Sequence, residues 1–192
     1  MAVAIGVLVA VLLALVFVFN GLVMKRNRCE NAFATIDVML KKRYDLIPNL
    51  VETVKGYAKH ERELLAQVTE LRARAASGAL PTDEAVVLNN RITGLLRRLL
   101  VVVEAYPELK ANGNFLQLQR ALNEIEEQIA AARRAFNAAV MDLNNAVQMF
   151  PSSLVASMTG FRERHFLATP EEERGAVDVG ERLNPSGPAA DT

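Results

Sequence analysis

"RYDLIPNLVETVKGYAKHE", residues 43–61, decides how the chain is divided, because Pro48 stands inside an otherwise unbroken amphipathic pattern. A proline lacks the N–H that a helix interior uses, yet it is tolerated in a first turn, where the N–H groups have no intrahelical partner. Asp45 is placed to cap such a turn, its carboxylate accepting from the N–H of Ile47. The stretch therefore predicts a joint, with a membrane-proximal helix over residues 25–45 and a bundle helix from Leu46 to Ala75. The same residues also allow a mild bend without functional meaning.

Working towards the N-terminus, "AVAIGVLVAVLLALVFVF", residues 2–19, carries no polar side chain; Asn20 is the first polar residue and Lys25 the first charge. As a helix, Ala2 to Val23 would span roughly 33 Å, against about 30 Å for a hydrocarbon core. Residues 1–24 are thus expected to form a transmembrane anchor. A cleaved signal would carry its basic residues ahead of the apolar run, whereas Lys25, Arg26 and Arg28 follow it. By the positive-inside rule these three residues put the N-terminus outside and the bundle in the cytoplasm, where they would lie on lipid headgroups.

Working towards the C-terminus, apolar residues recur in steps of three and four from Cys29 through Phe33, Ile36, Leu40, Ile47, Leu50 and Val54 to Leu64, Val68 and Leu71, with Arg43 and Glu61 occupying slots in the series. Such a stripe seeks other helices, and no alternating run argues for a strand. "SGALPTD", residues 77–83, punctuates the pattern, and Thr82 or Asp83 can cap a second helix running to about Ala105. Its "LLRRLLVVV" stretch, residues 95–103, is apolar on most sides and suggests burial between neighbours or contact with another subunit.

A second punctuation is "YPELKANGNFLQLQ", residues 106–119. Pro107 cannot continue a helix interior, Asn112-Gly113 supports a positive-φ turn, and Asn114 with Gln117 resembles a capping pair. The helix that follows should run from Phe115 to Phe150, about 55 Å, with Pro151 closing it. Asn137, Asn144 and Asn145 accompany its seam and would fix register if buried. "SSLVASMTGFRERHF", residues 152–166, predicts a short helix ending at Gly160, with Phe161 and Phe166 as packing anchors. From Ala168 on, three prolines and six acids against two arginines predict disorder, so residues 167–192 read as an acidic tail. The expected fold is all-α: a transmembrane helix followed by an elongated antiparallel bundle of three long helices plus a short C-terminal one, the bundle occupying residues 46–166.

The chain has 192 residues, 51 % of them hydrophobic, which suffices for one core and a membrane segment. Its 22 basic and 22 acidic residues balance, which gives no general attraction for nucleic acid, and no nucleic-acid partner is expected. Cys29 is the single cysteine, which excludes an intrachain disulfide; it could take a lipid beside the membrane, and it also fits the first seam as a small apolar residue. His60 and Glu61, near Glu52 and Lys55, lack a convergent partner, and the other histidine, His165, is remote in sequence. These residues read as a solvated helix face, and no catalytic residue, metal or cofactor is expected.

"DLIPNLVETVKGYAKHE", "YPELKANGNFLQLQ", "IAAARRAFNAAV" and "FPSSLVASMTGF" follow one another at a spacing that resembles the LemA family, over roughly Asn31 to Phe166. The resemblance implies a bacterial membrane protein with a single N-terminal transmembrane helix and an elongated helical bundle. Magnetosome-associated relatives suggest membrane organisation by analogy. Arg120 departs from an expected acid, Phe136 and Leu143 from common tyrosines, and Tyr44 precedes the Asp-Leu-Ile-Pro block. The functional expectation is a scaffold of the bacterial inner membrane that contacts lipid, self-associates as a homo-oligomer and meets partner membrane proteins. The alternative is a tethered sensor or adaptor binding a ligand between helices, for which the sequence displays no interior charge cluster.

Overall fold

The computed structural model describes residues 1–58, 60–77 and 82–167. Among the described residues six helices follow one another: α1 (Ala2–Lys55), α2 (Arg62–Ala76), α3 (Thr82–Val103), α4 (Pro107–Lys110), α5 (Gly113–Gln148) and α6 (Ser152–Thr159). The described residues contain no strand, so the protein is all-α as expected. The proposed disordered tail from Ala168 and most of the 77–83 turn lie outside the described residues.

Two long helices form the spine. α1 has 54 residues and α5 has 36, and they pack antiparallel along most of α5. Three hydrophobic clusters divide this spine into tiers. In the distal tier Ile47, Leu50 and Val54 of α1 meet Val68 of α2, Ile92 and Leu99 of α3, Leu109 of α4 and Phe115 of α5. In the middle tier, among the described residues, α1 and α5 are the helices that contribute, through Cys29, Ile36, Phe136, Val140 and Leu143, with Phe33 tilted against Phe136 at 5.7 Å between centroids. In the lowest tier α6 packs on the end of the apolar run, Val155 and Ala156 closing over Leu22 beside Val18. Full burial of each such aliphatic or aromatic side chain is worth about 1.5–3 kcal/mol, so the seam supplies the main cohesion.

The expected helix boundary at residues 45–48 does not form. α1 passes through Pro48 without interruption and ends at Lys55, and the chain turns before α2 begins at Arg62. Gly56 follows the last helical residue, the Ala58 N–H donates to the Val54 carbonyl at 2.8 Å, and Ala58 itself is buried. The helix expected from Leu46 to Ala75 is therefore two pieces, and the membrane-proximal segment is not separate from the bundle. Accordingly the bundle has two long helices with a shorter α2–α3 hairpin on its distal half.

Two further corrections concern α5 and the segment after α6. Asn112, extended at φ −68° and ψ 125°, is the N-cap of α5, its side-chain oxygen accepting from the N–H groups of Asn114 at 2.9 Å and Phe115 at 3.1 Å. The cap thus sits two residues before the expected Asn114, Gly113 is already helical without a positive φ, and Gln117 is exposed on the first turn. α6 ends as foreseen at Gly160, whose φ of 76° is the left-handed conformation a residue without Cβ adopts freely. Phe161 anchors as expected, but Phe166 is exposed.

Candidate functional site

The apolar run at the head of α1 is long and apolar enough to cross a membrane, and its most apolar stretch is unburied. Immediately after it lies a collar of charge. Arg26 faces Glu30 at 3.7 Å and places its guanidinium 5.6 Å from the centre of the Phe161 ring, which itself meets Phe19 edge-on at 6.0 Å. Arg164 reaches the same Glu30 carboxylate at 3.1 Å, while Arg28 lies 3.7 Å from the Met24 sulfur. Lys25, Arg26 and Arg28 therefore share the collar with Arg164, a residue that is remote in sequence. Cys29 lies fully buried at this level, and burial pushes its thiol pKa up. It behaves as a small apolar seam residue.

Beyond Gly160 the chain has no regular secondary structure and is clasped against α5 by two asparagines. The Asn144 amide donates to the Arg164 carbonyl at 2.9 Å and accepts from the Arg164 N–H at 2.9 Å. Asn137 does the same with Leu167, at 3.1 and 2.9 Å. Seven residues of helix rise roughly 10.5 Å, and three residues of extended chain cover about 10 Å, so the two grips are in register. Both asparagines had stood out in the sequence, whereas their partner, an extended segment, carries no periodic signal.

Deeper in the bundle sits Arg43, fully buried. Its guanidinium donates to Thr93 Oγ1 at 2.9 Å, to Glu126 Oε1 at 2.6 Å and to Asn89 Oδ1, and lies 5.6 Å from the Tyr44 ring centre. α1, α3 and α5 are thereby tied at one point. An interior polar cluster therefore exists where none was expected. Glu126 is 39 % exposed, which keeps its carboxylate partly in water, while Arg43 Nε is buried without a partner. Loss of Glu126 would leave the buried Arg43 charge with neutral partners alone, whereas loss of Arg43 would leave a carboxylate that water already reaches, so the pair matters chiefly for holding the arginine inside. By joining α1, α3 and α5 through one guanidinium, the node orders these helices. In sequence Arg43 looked like an interruption of the seam; the signal was its position on that seam.

Next to the node, Arg72 of α2 explains Pro48. The carbonyl that would accept from the missing Pro48 N–H is that of Tyr44. Arg72 Nε donates to this oxygen at 3.2 Å, and its terminal nitrogen lies 3.9 Å from Asp45. Asp45 is therefore mid-helix and pairs with Arg72 in place of capping. Pro107 opens α4 as its first residue, and Asn112 Nδ2 donates to the Tyr57 hydroxyl at 3.0 Å, joining the two turns at the distal tip. The sequence-derived residues thus fall into three places: the collar, the Pro48 notch and the distal tip. Among the described residues no group of three or more histidine, cysteine or acidic side chains converges to hold a metal ion. Glu52 and Lys55 form an exposed pair at 3.5 Å.

A candidate span continuous with an all-α bundle, ringed by basic residues where the two meet, defines a membrane-associated helical protein. The LemA family profile matches residues 32–180, and the chain belongs to the LemA family. It is 26 % identical to Protein LemA of Metamycoplasma hominis, over 86 % of this chain and 75 % of that protein. It is 22 % identical to magnetosome protein MamQ of Magnetospirillum gryphiswaldense, over 84 % of this chain and 69 % of that protein. Magnetosome protein MamQ 2 of Paramagnetospirillum magneticum is similar at 22 % identity over 93 % of this chain and 74 % of that protein.

Proposed function

We propose that this protein is a scaffold of the bacterial inner membrane, spanning it once, with its N-terminus outside and its bundle in the cytoplasm. In this reading copies associate with one another and with other membrane proteins and organise the patch of lipid around them. The observation that carries it is the continuity of α1: one helix of 54 residues runs from the apolar span into the distal core. A bundle so joined cannot swivel on a linker, and fixed orientation is what an organiser of neighbours needs. The basic collar supports a cytoplasmic bundle through the charge bias that sets topology. The named magnetosome relatives fit an organising role.

Mass measurement of the full chain in lipid nanodiscs and mild detergent tests the self-association. A dimer or larger species is the expected result, and a strict monomer at every protein-to-lipid ratio would overturn it. A sensor or adaptor is the second reading. It is favoured by a groove of about 660 Å³ between α2 and α3, where Arg91, Arg97 and Arg98 surround Leu71 and Leu95.

A further inference from the structure

α6 has two faces, and among the described residues only one of them is covered. Val155 and Ala156 are buried on Leu22 and Val18. The opposite side and the preceding turn present Met149, Phe150, Leu154 and Met158, exposed at 63, 80, 58 and 84 %. These are large apolar side chains on one short stretch, and no residue from Met149 to Gly160 carries a charge. Contiguous exposure of this kind marks a contact surface.

Its height on the molecule identifies the occupant. α6 packs at Val18–Leu22, three to seven positions before Lys25, the first charged residue of the chain. At 1.5 Å per residue this is roughly 5–10 Å inside the charged collar. Helices that lie in a membrane interface bury their apolar face to about the same depth. Arg26 and Arg164 stand beside the segment that leaves α6, where headgroup phosphates would be.

We propose that α6 is a second membrane contact, a short helix that enters one leaflet beside the span through Phe150, Leu154 and Met158. The occupant of its open face is lipid acyl chain. The inference rests on Ala2–Val23 being the membrane span. It adds that the bundle end is itself embedded, and in one leaflet only.

The chain has no tryptophan, so a single introduced one reports without background. Phe150→Trp, Leu154→Trp and Met158→Trp would be compared in phosphatidylcholine–phosphatidylglycerol vesicles containing lipids brominated near the headgroup or deep in the chain. Leu12→Trp serves as the control within the span. Met141→Trp, at an exposed position of α5 in the middle tier, serves as the control outside it. The three α6 variants are expected to lose roughly half or more of their emission to shallow-brominated lipid, consistent with an interfacial depth. Leu12→Trp should respond to the deep label, and Met141→Trp to neither. If Leu12→Trp is quenched while the α6 variants behave like Met141→Trp, the α6 contact is wrong and the span stands. If Leu12→Trp is also unquenched, both fall. Shielding of the α6 variants from aqueous acrylamide without quenching by lipid would mean that protein covers this face, and would likewise overturn the proposal.

Discussion

A proline inside a helix leaves the carbonyl four residues earlier without a donor, and for Pro48 that carbonyl is Tyr44's. The guanidinium of Arg72 supplies the missing hydrogen from another helix, so the defect in α1 becomes a docking point for α2. This predicts a coupling with a sign. Arg72→Ala should orphan the carbonyl and destabilise the chain by about 1–3 kcal/mol. Adding Pro48→Ala restores an intrahelical N–H, so Arg72→Ala should cost less in that background. Thermal unfolding of the four proteins in detergent closes the cycle, and additive effects would show that Arg72 does not serve the carbonyl. The sequence pointed to Pro48 but not to this resolution, because a residue's rescue by a partner 24 positions away has no local signature. Arg43 was hidden similarly: a charge amid an apolar series reads as a break in it until three polar groups from other helices surround it.

Among the elements, α5 was the most legible, since an unbroken apolar period between Phe115 and Val147 leaves little choice of structure. α1 and α2 were misdivided because Pro48 is the stronger helix breaker on propensity, whereas the chain turns at the weaker Gly56, where tertiary packing of Ala58 decides. Beyond its anchor Phe161, the clasped segment 161–167 could not be read: its backbone bonds to side chains of α5, which no periodicity announces. It carries its own prediction. The Arg164 and Leu167 amides donate to Asn144 and Asn137, so their hydrogen exchange should be slow for a non-helical segment. Asn144→Ala should speed exchange at Arg164 about fivefold or more, the loss of a hydrogen bond worth at least ~1 kcal/mol. Asn144→Asp keeps the acceptor and should fall between. Unchanged protection at Arg164 in Asn144→Ala would remove the clasp from the account.

For the whole molecule, the span, spine and all-α class were readable from apolar patterning, while the tiering was not, since it depends on where the short helices land along the two long ones. Two of those tiers hold buried acids. Burial raises the pKa of the Cys29 thiol in the middle tier and of the Tyr44 hydroxyl in the distal one. In each case the neutral form is favoured by folding, so the unfolded chain releases its proton first. The associated stability is complete below the ordinary thiol pKa of about 8.5 and declines as pH rises from there, with tyrosine adding its share above about 10. Melting temperature followed from pH 7 upwards should begin to fall in that first window, and Cys29→Ala should abolish the early part of the fall. An identical profile in Cys29→Ala would mean that the thiol is not responsible.

The unbroken α1 makes geometry a matter of counting. Thirty residues separate Lys25 from Lys55, which sets the end of α1 about 45 Å of helix beyond the charged collar. Each residue added between them would raise that altitude by about 1.5 Å and swing the azimuth of everything beyond it by roughly 100°. Helix length alone therefore fixes both the height and the facing of the α2–α3 hairpin relative to the charged collar.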